Sequence, residues 1–225
     1  GFTDFRISLS TRPEKFVGEI EKWEIAIQSL KKILEETNYE YYIDEGGGAF
    51  YGPKISIEIK DALKRFWQCA TIQFDFNLPE RFNVTYRDTD GKDKQVVMIH
   101  RAILGSIERF FGILVEHYAG AFPLWLAPVQ IVIMNITDKQ KKYAEEIYNK
   151  LISENIRCEL DVRNETLNYK IREATLNKIP YIIIVGEKEQ ENKNIALRSR
   201  SGKDLGKIEL RNFINKIQEE ILNMS

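Results

Sequence analysis

The sequence predicts an α+β first part and an α/β second part with a mixed, mostly parallel sheet. Three observations carry this. Strand-like segments follow one another at short intervals up to about residue 100, the pattern of an antiparallel sheet. Phe122-Pro123-Leu124-Trp125-Leu126-Ala127-Pro128 then interrupts the pattern. Beyond it, buried-type strands alternate with amphipathic helices, the rhythm of parallel βα units.

In order, Phe5 to Ser10 alternates as a strand does. Glu14 to Glu36 reads as a helix, with Trp23, Ala26, Ile27, Leu30 and Ile33 at helical spacing. Gly46-Gly47-Gly48 is a flexible break. Ile55, Ile57 and Ile59 alternate with Ser56, Glu58 and Lys60, which marks a half-buried strand, and Phe66 to Phe76 is a longer one. Asp88-Thr89-Asp90-Gly91 is a hairpin turn. Val96 to Ile99 is a strand that feeds a helix from Arg101 to Tyr118, stopped at Gly120.

Past the proline-bounded break, Val129 to Ile133 reads as a strand. Thr137 caps a helix running to about Ser153, and Ile156 to Val162 is a strand. Thr166 to Lys178 is a helix, Tyr181 to Val185 and Ile195 to Arg200 are strands, and Leu210 to Leu222 is the last helix. The domains are therefore drawn at 1–122 and 123–225.

Composition narrows the function. The net charge is −1, and residues 123–225 hold 17 basic and 15 acidic side chains. Neither part grips nucleic acid through bulk charge, so any RNA recognition must rest on particular side chains. Cys69 and Cys158 form no CxxC pair, which fits a reducing cytoplasm. No apolar run approaches the roughly 18 residues of a membrane span. Gly1 to Arg6 lacks a secretory leader's order and an initiator Met, so the chain is expected to be a piece.

The most informative stretch is Val97 to Arg109. As a helix from Arg101 it sets an apolar stripe (Ile103, Ile107, Leu114, Tyr118) roughly opposite Arg101, Gly105, Arg109 and Gly112. Interior Gly costs a helix about 1 kcal/mol relative to Ala. Two beside an arginine point either to close packing on the sheet or to a face cleared for an anionic or planar ligand. His100 stands at the strand–helix junction, as a structural residue or a ligand. Gln68 and Gln73 lie in an apolar strand where an unpartnered polar group costs on the order of 1–3 kcal/mol. Ideal alternation puts them on opposite faces, so both line one site only if the strand bulges or twists strongly.

Together with Gly48-Ala49-Phe50-Tyr51-Gly52-Pro53-Lys54, Trp67-Gln68-Cys69, Gln73-Phe74-Asp75-Phe76 and Leu9-Ser10-Thr11-Arg12-Pro13-Glu14-Lys15, this stretch closely resembles the threonyl-tRNA synthetases, a family of class II aminoacyl-tRNA synthetases. Residues 96–112 are similar to the class's third motif, and the likeness runs over the whole chain. The fold it implies is the latter part of a class II catalytic domain, an antiparallel sheet with helices, followed by an anticodon-binding domain. The activity it implies is ATP-dependent formation of threonyl-adenylate and transfer of threonine to its tRNA. ATP, L-threonine and tRNA are the partners, the intact enzyme is a homodimer, and Mg2+ accompanies ATP.

The resemblance assigns Arg109, Gln73 and Lys54 to catalysis. It places Tyr51, Gln73 and His100 in the threonine pocket, and Gln68, Gly105, Ser106 and Arg109 on ATP. His100 is implied as one of three zinc ligands, the other two lying upstream of residue 1. A three-ligand zinc leaves positions open for substrate and rejects an isostere lacking the hydroxyl. Asn164, Glu189, Arg198 and Arg200, each expected at a strand end or in a loop, are implied as anticodon contacts. The first two class motifs are expected upstream, so the isolated chain is expected to be inactive. The competing reading is a non-catalytic anticodon-binding module.

Overall fold

The computed structural model describes residues 1–224. They fall into two compact units, Gly1–His117 and the described residues from Tyr118 onward.

The first unit is built on a five-stranded sheet of β1 (Phe5–Ser10), β2 (Tyr41–Asp44), β3 (Lys54–Lys60), β4 (Phe66–Asp75) and β7 (Met98–Ala102), in the order β2-β1-β3-β4-β7. All neighbours are antiparallel except β1 and β2, which run parallel. The short β2 was not foreseen; its pattern shows no clear alternation of buried residues. Helix α1 (Ile20–Thr37) crosses from β1 to β2. It begins six residues later than the periodicity predicts. Gly18 holds a positive φ of 85° and the Val17 N–H donates to the Phe50 carbonyl, so the chain before Ile20 is committed to a loop. The buried stripe of α1 is Trp23, Ala26, Leu30 and Leu34; Ile33, expected in it, is half exposed. Nor is Gly46–Gly48 a loose break. A Cβ on Gly48 would lie 2.5 Å from the Thr11 carbonyl oxygen, so the chain is packed there.

The short helix α2 (Asn77–Arg81) and the hairpin β5 (Thr85–Arg87) and β6 (Asp93–Gln95) follow β4, with Gly91 at positive φ in the turn. Helix α3 (Ile107–Tyr118) then starts six residues after the expected Arg101. Arg101 pairs with Ile72 and Ala102 with Thr71, so ladder hydrogen bonds keep this segment extended. The proposed four-residue helical face therefore does not exist. Arg101 is in a strand, Gly105 in the following turn, and only Arg109 and Gly112 are on α3. The expected apolar stripe is also displaced: Ile103 and Ile107 are exposed, while Ile113 is buried with Cys69 and Ile59 beside Phe2, Trp67 and Phe110.

The second unit holds β8 (Ile131–Asn135), β9 (Cys158–Asp161), β10 (Tyr181–Val185), β11 (Asn194–Ser199) and β12 (Asp204–Glu209), in the order β12-β11-β10-β8-β9. The pairings β8–β9 and β8–β10 are parallel and β10–β11 and β11–β12 antiparallel, so the sheet is mixed as expected, with its parallel share at half. β12 and the five-residue α6 (Glu187–Glu191) were not foreseen, since both read as polar chain. Helices α4 (Lys141–Ser153) and α7 (Leu210–Leu222) pack on one face through Ala144, Ile147, Leu151, Phe213, Ile214 and Ile217. Helix α5 (Leu167–Leu176) covers Val132, Met134, Ile182 and Ile184 on the other. Thr166 caps α5 by accepting the Tyr169 N–H. Thr137 precedes a short 3-10 turn rather than α4 itself.

Candidate functional site

Directly paired residues of neighbouring strands share a face, and successive residues alternate. Ser10, Lys54, Gln73 and His100 are joined by pairing across β1, β3, β4 and β7. Ser8, Ser56, Thr71 and Ala102 make the next row on that face. Ile7, Leu9, Ile55 and Ile72 point to the other, against α1.

Gln68 joins the polar face through a defect. Glu58 pairs with Gln68 and Ile57 with Ala70, so Cys69 has no partner and the register slips there. This is a β-bulge, one surplus residue in β4. It cancels the odd spacing between Gln68 and Gln73 and brings both to the side that carries Lys54 and His100. The Gly105 turn packs against the bulge: a Cβ on Gly105 would stand 2.8 Å from the Cys69 carbonyl oxygen, and its φ is +66°.

Several side chains on this face are held. Tyr51 Oη donates to Gln73 Oε1 at 3.2 Å. The turn carrying Tyr51 is stitched to β4, with the Phe76 N–H on the Tyr51 carbonyl and the Phe74 N–H on that of Pro53. A Cβ on Gly52 would lie 1.9 Å from the Phe74 oxygen, so the closeness of this turn demands glycine. Gln68 Nε2 donates to Thr71 Oγ1 at 2.6 Å. His100 Nε2 lies 2.8 Å from Asp75 Oδ2, and Asp75 Oδ1 accepts the Asn77 and Leu78 N–H groups at 2.8 and 3.0 Å. Burial pushes the Asp75 carboxyl up, but the bond from His100 and the two backbone donors outweigh it and hold it below the usual range. Sequence reasoning missed Asp75 and Thr71 as site residues. Their signal was there: Asp75 is two residues from Gln73 and so shares its face.

The other motif residues stand apart from this row. Ser106 Oγ accepts the Arg109 N–H at 3.3 Å and donates to Glu108 Oε2 at 2.8 Å, closing the first turn of α3. Arg109 is exposed, its guanidinium carbon 5.2 Å from the centre of the Trp67 ring. Trp67 adjoins Gln68 in sequence but belongs to the opposite, helix-covered face. Among the described residues no three His, Cys, Asp or Glu side chains come together as a metal site. His100 is exposed with one ring nitrogen on Asp75, which suits it to contribute one ligand and no more.

In the second unit each of the four candidates is held by partners other than the remaining three, or is exposed. Asn164 is exposed in the loop between β9 and α5. Glu189, expected in a loop, is buried in α6. Its Oε2 accepts the Gly186 N–H at 3.0 Å and its Oε1 pairs with Lys207 at 2.6 Å. Arg198 lies within β11, with Nη1 donating to the Gly202 carbonyl at 3.0 Å. Arg200 sits past the strand end, its head bonded to the carbonyls of Ala121 and Phe122. Arg198 and Lys207 share the sheet face of Ala196, and Lys207 pairs with Glu189, so these three line one surface.

With this geometry in place, likeness to known proteins becomes informative. Residues 2–118 match the family described as the tRNA synthetase class II core domain (G, H, P, S and T). The chain belongs to that class II synthetase family. Residues 130–220 match the family described as an anticodon binding domain. Among curated relatives, a threonine–tRNA ligase of Aquifex aeolicus is 53% identical over 223 residues, 99% of this chain and 35% of its own length. One from Clostridium tetani is 55% identical over the same share. The chain thus spans about a third of the length of these relatives. The solved RNA binding domain of threonyl-tRNA synthetase from Cryptosporidium parvum superposes with a TM-score of 0.88 at 39% identity, covering 96% of this chain and 55% of that one. A putative threonyl-tRNA synthetase from Aeropyrum pernix gives 0.76 at 28% identity, covering 100% and 56%. As a class II synthetase chain it carries both the core fold and the anticodon-binding fold, in that order.

Proposed function

We propose that this chain is the C-terminal part of a threonine–tRNA ligase, acting in the reducing cytoplasm. In this reading the first unit supplies one wall of the site where threonine and Mg2+-bound ATP condense to threonyl-adenylate. The second unit reads the anticodon of the tRNA that receives the threonyl group. The observation that carries the proposal is the polar sheet face on which strand pairing sets Lys54, Gln73 and His100 beside Tyr51, and to which the bulge at Cys69 adds Gln68.

The roles follow from chemistry. Tyr51 and Gln73, bonded to each other, present fixed polar groups to the amino acid. Lys54 offers a charge to the reacting carboxylate or phosphate, and Gln68, steadied by Thr71, faces the nucleotide. Gly105 lets the backbone approach closely, and Ser106 stands beside it. Arg109 has the planar, permanently charged head that suits adenine and phosphate. Its head lies over Trp67. Zinc, held by His100 and two ligands from elsewhere in the enzyme, would bind the amino and hydroxyl groups of threonine. Two intact enzymes pair as a homodimer. Asn164, Glu189, Arg198 and Arg200 are proposed as anticodon contacts, with Arg198 the best placed and Arg200 the most committed to its own backbone.

The test measures threonine-dependent ATP–pyrophosphate exchange by the intact enzyme carrying this chain, with Gln73→Ala and His100→Ala beside it. Loss confined to the variants supports the reading. Wild-type exchange with another amino acid and none with threonine would overturn it.

A further inference from the structure

Asp75 is a buried carboxylate on the site face to which the reading above gives no part. We propose that Asp75 is a positioning residue that fixes the tautomer of His100, so that Nδ1 alone is left to bind metal. This rests on the zinc reading for its consequence but not for its geometry.

The carboxylate is fully committed. Oδ1 takes the backbone N–H groups of Asn77 and Leu78 at 2.8 and 3.0 Å, and Oδ2 faces His100 Nε2 at 2.8 Å. Asp75 is 3% exposed, so water does not compete. The strands set the approach: Asp75 pairs with Met98 and Gln73 with His100, which puts Asp75 diagonal to His100 on one face. An ionised carboxylate only accepts hydrogen bonds, so Nε2 must carry the proton. In neutral imidazole the other nitrogen then holds the lone pair. A carboxylate behind a histidine ligand is a known way of fixing ring orientation and raising ligand basicity. Here it is pinned in turn by the first turn of α2, so the loop after β4 helps aim the ring.

Asp75→Asn tests this sharply. An asparagine side-chain carbonyl still accepts the Asn77 and Leu78 N–H groups, so the turn is kept. Its amide then donates toward Nε2 and favours the Nδ1–H tautomer. Nitrogen-15 spectra of the imidazole rings are recorded on the 225-residue chain at about pH 8, above the ordinary histidine range near 6.5. His117, the only other histidine, serves as internal reference. The wild type should favour Nε2–H at His100 by roughly ten- to hundredfold, as a hydrogen bond to a charged group provides, and Asp75→Asn should reverse it. A slowly exchanging Nε2–H proton in the wild type makes the same point without a variant.

Equal tautomers in both proteins, or Nδ1–H in the wild type, overturn the proposal. Excess Zn2+ is then added to the intact enzyme carrying this chain, which supplies the other two ligands, with the same two versions of residue 75. A shift at Nδ1 in the wild type that is lost in Asp75→Asn supports it, and Zn2+ reaching Nε2 overturns it. If the tautomers behave as stated and Zn2+ moves neither nitrogen, the zinc reading of this chain fails while the hold of Asp75 on the ring stands.

Discussion

Replacing Gly105 and Gly112 by alanine should move stability in opposite directions. On sequence grounds the two glycines look equivalent, seven residues apart beside an arginine. Gly105 has φ +66° and its missing Cβ faces the Cys69 carbonyl at 2.8 Å, while nothing lies within 4 Å of the missing Cβ of Gly112. A left-handed conformation costs a residue with a Cβ about 1–2 kcal/mol. The contact with a backbone atom adds about 1–3 kcal/mol of overpacking, and a stiffer unfolded chain returns about 0.4–1 kcal/mol. Gly105→Ala should therefore lose about 2–4 kcal/mol. Gly112→Ala, in the exposed interior of α3, should gain about 0.5–1 kcal/mol. With a urea dependence of about 2 kcal/mol per molar, mid-range for a small protein, the Gly105→Ala midpoint falls by about 1–2 M. The assay is urea unfolding followed by Trp23 and Trp67 fluorescence, with Trp125→Phe as background. A Gly105→Ala midpoint equal to wild type, or a comparable loss for Gly112→Ala, would refute the reasoning.

Three further outcomes are expected. Burial pushes the Asp61 carboxyl up, but bonds from Trp67 Nε1 and from the Arg65 backbone and side chain bring it down to about 2, against an ordinary 3.8. Its contribution is thus present above the unfolded value and lost as pH falls through the folded one. Asp61→Ala should destabilise the first unit at neutral pH, and the gap to wild type in pH-dependent unfolding should close between about pH 4 and 2. Arg198→Ala should weaken binding of the threonine anticodon stem-loop by about 1–3 kcal/mol, with less effect on a loop of altered second and third anticodon bases; equal loss on both would mark a backbone contact only. The 225-residue chain alone should show no threonine-dependent pyrophosphate exchange, because groups that act as a unit fail together; robust exchange would mean the chain is self-sufficient.

Much of the fold was legible because patterning is local. Ile55 to Ile59, Tyr181 to Val185 and Leu210 to Leu222 appear where periodicity puts them. The misses come from non-local effects. Arg101 and Ala102 are strand because β4 offers them a ladder, which their own sequence does not reveal. β12 is nearly all exposed and shows no apolar alternation, so only pairing with β11 makes it a strand. Glu189 is a polar residue in polar sequence, and its burial depends on Lys207 reaching it from β12. In the site, residue types pointed to Gln68, Gln73 and His100, yet their common face depends on the surplus residue at Cys69, which no spacing rule announces.

That surplus has a consequence for how the chain tolerates changes in length. Between the pairs Lys54–Gln73 and Glu58–Gln68, β3 advances four residues and β4 five. Loss of one residue from this stretch of β4 matches the strands step for step. The two glutamines then stand four apart, a spacing that ordinary alternation keeps on one face. Gain of one leaves two residues to absorb against β3, and the first bulge already fills the space in front of Gly105. The strand has room to shorten and none to lengthen, so natural variation in length here should run toward deletion.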